Sequence, residues 1–237
     1  MSKKFLTAEW NNLIMANYEV DKSFLLSMLP AHTQLDTFYG KHFISLVGFM
    51  FNDVKLKGIP IPFHRNFPEV NLRLYVKHFD GKEWKRGVVF ISEIVPKPAI
   101  TIIANALYKE KYRTMRMKAF YKKETERIRL GYEWKYKNEW YYIKAETGIN
   151  PLTMKAGSEE EFITQHFWGY AKLNEKCTNE YQVAHPQWKL FPLETFNIHC
   201  RFDVLYGNEY SFLNEMKPYS VFVAKGSPIT IFGKTVL

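Results

Sequence analysis

Long apolar runs, disulfide-forming cysteines and glycine-rich phosphate loops are all missing from this 237-residue chain, and each absence removes a class of protein. No apolar stretch approaches the roughly 20 residues that a membrane-spanning helix needs. The opening Met1-Ser2-Lys3-Lys4-Phe5 runs on to Glu9, Trp10, Asn11 and Asn12 instead of an apolar core, so it does not read as a signal peptide. Two cysteines, Cys177 and Cys200, are too few for a disulfide scaffold and point to a reducing compartment, hence the cytoplasm. Neither a C-x-x-C pair nor a nucleophile elbow around Ser92 occurs, which leaves hydrolase, dehydrogenase and kinase chemistry without support. The seven histidines stand singly with no ligand spacing, so neither a metal nor another cofactor is expected.

What the chain does have is aromatic and apolar residues. Hydrophobic residues make up 46% and aromatics 17%, including 19 Phe and 15 Tyr, enough for a sizeable core and weighted toward strands. With no repeat and no low-complexity linker, residues 1–237 read as one domain, mostly β with a few short helices. His42 to Phe51 reads as a buried strand. In residues 69–76, Glu69, Asn71, Arg73 and Tyr75 alternate with Val70, Leu72, Leu74 and Val76, a period-2 strand with one polar and one apolar face. Asp80-Gly81 marks a turn into the strand Gly87 to Ile94. Residues 112–121 and 126–136 read as further strands. Three helices are expected: one capped by Asp21 and stopped by Pro30, one entered at Pro98, and one opened by the capping box Ser158-Glu159-Glu160-Glu161.

The net charge of +9 raises the question of nucleic acid. Residues 109–129 hold nine basic and three acidic side chains and so supply +6 of it. Alternation favours an exposed hairpin face instead. Ile128, Leu130, Tyr132, Trp134 and Tyr136 share one side of a strand, and Arg127, Arg129, Glu133, Lys135 and Lys137 share the other. A nucleic-acid or membrane-surface role for 109–129 would show steep salt dependence, but no DNA- or RNA-binding motif accompanies the charge.

Two groups of residues carry candidate chemistry. The in-register face Glu69, Asn71, Arg73 and Tyr75 could line a wet cavity while the opposite face builds a core. Its plainer reading is an ordinary exposed sheet face. Lys109 and Lys111 follow an apolar helix and precede a strand, where a side chain can re-enter the interior. With Arg113 they lie two apart, so on an extended segment they crowd one face, and such crowding or burial is what frees an amine to attack a carbonyl.

Across nearly the whole chain, a set of segments resembles the YqjF-like bacterial proteins within the acetoacetate decarboxylase-like superfamily. They include Asn17-Tyr18-Glu19-Val20, Ser45-Leu46-Val47-Gly48-Phe49, Phe67-Pro68-Glu69-Val70-Asn71-Leu72-Arg73-Leu74-Tyr75-Val76, Tyr181-Gln182-Val183-Ala184-His185-Pro186-Gln187-Trp188 and Ser220-Val221-Phe222-Val223-Ala224-Lys225-Gly226-Ser227-Pro228. The resemblance implies a large antiparallel sheet curled into a closed, cone-like barrel with an interior pocket. It also implies a Schiff-base lysine after a Pro-Ala-Ile helix start. Counting forward from Pro98-Ala99-Ile100 sets Lys111 at the first of two paired lysines, with Tyr112 in place of the second. Glu69 falls at the family glutamate, and Asn11 or Asn12 stands where an arginine is expected. These departures disfavour decarboxylation of acetoacetate itself.

The leading expectation is therefore an interior pocket for a small molecule such as an oxo acid, with Asn71, Arg73, Tyr75, Lys109 and Tyr112 as binding residues. The alternative is an imine-forming lyase with Lys111 as nucleophile and Glu69 as acid/base. The expected partners are a small molecule of unassigned identity and, at most, further copies of the chain as a homo-oligomer.

Overall fold

The alternations described above become a strongly curved sheet backed by a smaller one. The structure is a computed structural model that describes residues 3–237. The chain opens with β1 (Lys4–Glu19), α1 (Lys22–Leu26), β2 (Gln34–Leu35), β3 (Phe43–Leu56), β4 (Ile59–Pro60), β5 (Phe67–Phe79) and β6 (Trp84–Val95). It continues through α2 (Pro98–Tyr108), β7 (Tyr112–Thr114), β8 (Arg116–Lys123), β9 (Arg127–Tyr136), β10 (Glu139–Gly148), β11 (Leu152–Thr153) and α3 (Glu159–Thr164). Last come β12 (Trp168–Lys172), β13 (Thr178–Ala184), β14 (Lys189–Phe191), β15 (Leu193–His199), α4 (Phe202–Tyr206), a 3-10 turn over Asn208–Asn214, β16 (Ser220–Phe232) and β17 (Thr235–Val236).

The large sheet runs β11-β14-β16-β1-β3-β5-β6-β12-β13-β17. Its curl brings β13 back against β16 through Val183 with Ile231 and Ala184 with Thr230. Pairing is antiparallel throughout except where β6 meets β7 and β12, both parallel. The first exception follows from the α2 crossover, which returns the chain to the same edge of β6 in the same direction. A separate four-stranded antiparallel sheet, β15-β10-β9-β8, lies against the outside of the large one.

Period-2 patterning explains how the layers stack. The apolar face of β5, Val70, Leu72, Leu74 and Val76, packs with Ile128, Leu130, Tyr132 and Trp134 of β9 in one core. The opposite face of the large sheet, with Phe43, Val47, Phe49 and Phe51 of β3, builds a second core inside the curl. The strand expected over 112–121 is split at Met115, whose backbone N–H donates to Val95. There the chain leaves the large sheet and enters the small one. In the basic stretch, Lys122 pairs with Glu124 at 3.0 Å and Arg129 with Glu146 at 3.0 Å, so some of its cations have partners within the small sheet. Asp21 and Ser158 cap α1 and α3 as their sequences imply.

Candidate active site

The inner face of β5 carries Glu69, Asn71 and Arg73 into the curl, each at least nine-tenths buried. Across the β5–β6 ladder Asn71 faces Glu93, and across the β6–β7 ladder Glu93 faces Tyr112. A register shift between Leu72 and Arg73 skips Ile91, so that Ser92 and Phe90 follow one another as partners of β5. That bulge inverts the alternation of β6 and sends Glu93, Phe90 and Val88 to the same inner face.

Tyr112 is held by both ends of the Asn105 side-chain amide, which bonds its backbone N–H at 2.8 Å and its carbonyl at 3.0 Å. Its hydroxyl donates to Glu69 at 3.1 Å, and the Asn71 amide donates to the other Glu69 oxygen at 3.0 Å. Tyr181 donates to Glu110 at 2.7 Å. Gly169 makes room for that ring: a Cβ there would stand 2.1 Å from the Tyr181 Cζ. Burial pushes Glu69 and Glu110 up to about 7, and burial together with the neighbouring carboxylates lifts Glu93 well above the usual range. Burial likewise raises the Tyr112 and Tyr181 hydroxyls, keeping them donors.

A second buried pair borders the same space. His166 Nε2 lies 3.1 Å from Asp36, which also receives Arg86 Nε at 2.6 Å. Burial alone would raise the Asp36 carboxyl, but the bonds from His166 and Arg86 hold it far below the usual range. Burial lowers His166 to about 4 despite Asp36. The imidazole is therefore neutral, with its proton on Nε2, and Nδ1 is left as a bare acceptor.

Two adjoining chambers result. The inner one, about 60 Å³, is lined by Glu69, Asn71, Arg73, Glu93, His166 and Trp10 among others. The outer one, about 170 Å³, lies beneath α2 between Ile100, Ile103, Ala104, Phe51 and Phe67 and has Glu110 in its wall. Glu93, Tyr112 and Tyr181 line both. Among the described residues, ten buried side-chain polar atoms have no hydrogen-bond partner, and half of them belong to inner-chamber residues: Trp10 Nε1, Asn71 Oδ1, Arg73 Nε, Glu93 Oε2 and His166 Nδ1. No group of three His, Cys, Asp or Glu among the described residues is arranged to hold a metal ion. No helix among them is long and apolar enough to cross a membrane.

The structure brings together Glu69, Asn71, Arg73 and Tyr112 from the sequence-based set and separates the rest. Tyr75 is buried, but its hydroxyl donates to Ser45 at 2.7 Å and does not line either chamber. Lys109 caps α2 in the left-handed conformation, φ 61°, and is exposed. Lys111 is also exposed and borders a different cleft with Ser92, Arg113 and Tyr206. The pairing of Lys111 with Glu69 is thus corrected. After the left-handed cap, the extended chain sends Glu110 and Tyr112 inward, and with them necessarily Lys111 and Arg113 outward. Among the described residues, no lysine lines either chamber. Lys111→Ala is accordingly expected to change stability by less than about 0.5 kcal/mol, and borohydride reduction with pyruvate is expected to leave no adduct on Lys111 by mass mapping.

Sequence reasoning missed Glu93, Glu110, His166, Trp10 and Tyr181. A signal existed for Glu93, a lone acid inside the apolar run Val88–Val95. Another existed for His166, which follows Phe162 and Ile163 on the buried side of α3. Glu110 was hidden among the basic residues around it.

This architecture has known counterparts. Acetoacetate decarboxylase from Legionella pneumophila matches with a TM-score of 0.65 at 12% identity, covering 100% of this chain and 88% of that one. An acetoacetate decarboxylase-like enzyme from Sphingomonas wittichii RW1 gives 0.66 at 12% identity, over 99% and 94%. The enduracididine biosynthesis enzyme MppR, in a structure complexed with pyruvate, gives 0.64 at 10% identity, over 100% and 91%. The fold is therefore acetoacetate decarboxylase-like. By sequence, the chain belongs to the DUF2071 family of uncharacterized conserved proteins, whose pattern covers residues 7–228. It is 29% identical over 185 residues to the protein YqjF of Bacillus subtilis (strain 168), covering 76% of this chain and 73% of that one.

Proposed function

We propose that the inner chamber binds a small oxo acid and moves a proton at the carbon beside its carbonyl, using its own carboxyls and no imine. The observation that carries this reading is the gathering of five unpartnered buried polar atoms on residues around one small chamber. Each costs free energy while unsatisfied, so their concentration marks a place for a polar occupant. A volume of about 60 Å³ is several times the roughly 10–15 Å³ that one water requires. It suits a three-carbon acid. The returning sheet is read as a closed, cone-like barrel around that chamber.

The donors and acceptors suit such a ligand. Among the described residues, Arg73 is the only cationic side chain lining the chamber, and its Nε with Trp10 Nε1 supplies two donors for a carboxylate. Glu93 stays protonated and donates from Oε2 to the carbonyl oxygen. Glu69, poised near neutrality, takes the proton from the adjacent carbon. The C–H electron pair becomes the C=C bond, the carbonyl π pair takes up the Glu93 proton, and an enol forms. His166 Nδ1 accepts from its new hydroxyl. One fold neighbour, MppR, has a structure complexed with pyruvate, which supports an oxo acid as the first ligand to try.

Pyruvate in deuterium oxide tests the proposal. Pyruvate is expected to raise the melting temperature of the protein, and the protein to catalyse loss of the methyl proton NMR signal. If pyruvate, 2-oxobutanoate and acetoacetate all give neither stabilisation nor exchange, the reading fails.

A further inference from the structure

We infer that the substrate carries an apolar group beyond its oxo acid head, an alkyl chain or an aryl ring, seated in the outer chamber under α2. This rests on the reading of the inner chamber as the oxo acid site. Three features carry it. First, the inner chamber is too small for more than the head, whereas the outer chamber has almost three times its volume. An apolar cavity of about 150 Å³ holds a benzene-sized group. Second, the outer walls are nearly all apolar, with Phe51, Phe67, Ile100, Ile103 and Ala104 closing on the space from three elements. Such a surface offers little to a polar ligand and gains by covering an apolar one.

Third, the carboxyl assigned to the carbonyl oxygen stands at the seam. Glu93 lines both chambers, is 2% exposed, and has Oε2 without a partner. A ligand whose carbonyl meets Glu93 with its carboxylate toward Arg73 must direct its remaining carbon chain away from Arg73. That direction leads past Tyr112 and Tyr181 into the outer chamber. Pyruvate would leave the outer chamber unfilled. A 2-oxo acid with four to six further carbons, or phenylpyruvate, would fill both.

Calorimetric titration with pyruvate, 2-oxobutanoate, 2-oxohexanoate, 2-oxooctanoate and phenylpyruvate tests the inference. Affinity is expected to rise by up to about fourfold for each added methylene that becomes buried, until the chamber is full. Ala104→Phe and Ala99→Phe, on the roof helix, should abolish that rise while leaving pyruvate affinity intact, which also reports that each variant is folded. Pyruvate binding with a flat or falling series would overturn the apolar extension and spare the oxo acid site. A chain-length dependence that survives in both variants would overturn it too, because the chain would then lie elsewhere. Failure of every oxo acid, pyruvate included, would remove the inner site and this inference with it.

Discussion

Glu69→Gln is expected to slow enzyme-catalysed deuterium exchange into the methyl group of pyruvate by about 10²- to 10⁴-fold, the span usual for losing a positioned general base. The substitution keeps the shape and the acceptor oxygen but removes the proton-accepting charge. The Asn71 amide, bonded to one Glu69 oxygen, keeps an acceptor in the glutamine carbonyl, and the Tyr112 hydroxyl, bonded to the other, can turn to accept from the glutamine NH2. Pyruvate affinity should therefore change much less than the exchange rate, and the loss should fall in kcat. Wild-type exchange should also rise with pH through about 7, as the Glu69 carboxyl ionises. Binding of the anionic probe should weaken over the same range, because ionising Glu69 adds a negative charge to the chamber that Arg73 lines. Exchange in Glu69→Gln equal to that of the wild type would exclude Glu69 as the base.

The second large effect is on stability against pH. Burial raises Glu69 and Glu110 from 4.5 to about 7 in the folded protein. A raised folded value means that the native state holds its proton more tightly than the unfolded chain. Stability from this source is complete below about pH 4.5 and is lost as pH climbs through 7. The full loss corresponds to about 3 kcal/mol per carboxyl. Glutamine resembles the protonated acid, so Glu69→Gln and Glu110→Gln should match the wild type near pH 4.5 and exceed it increasingly toward pH 8. For a chain of this size, 3 kcal/mol is worth roughly 6–12 °C in melting temperature. His166 acts in the opposite sense. Its folded value, lowered to about 4 by burial, withdraws stability as pH falls below 6.5. Comparing variant with wild type at each pH cancels that contribution. A variant-to-wild-type difference that stays constant from pH 4.5 to 8 would show that these carboxyls are not the buried, desolvated groups described.

Local chemistry in the sequence determined a great deal. Alternation along residues 69–76 placed Glu69, Asn71 and Arg73 on one face and Val70, Leu72, Leu74 and Val76 on the core side. The same rule sent Ile128, Leu130, Tyr132 and Trp134 inward and left Arg129 and Glu133 between them half-buried on the other face. Pro98, Asp21 and Ser158 marked helix starts through a missing N–H or a capping oxygen. Each of these signals acts within a few residues, which is why it is legible without coordinates.

The tertiary structure decided the phase of the alternation and the company each side chain keeps. One left-handed residue, Lys109, sets which of the next residues turns inward, and it chose Glu110 and Tyr112 over Lys111. One skipped residue, Ile91, turned Glu93 from a misfit in an apolar strand into the carboxyl shared by two chambers. Asp36 and His166 meet across 130 positions of chain. Strand periodicity fixes only alternation. A single backbone irregularity inverts its sign, and contacts between distant segments exist only once the sheet has curled.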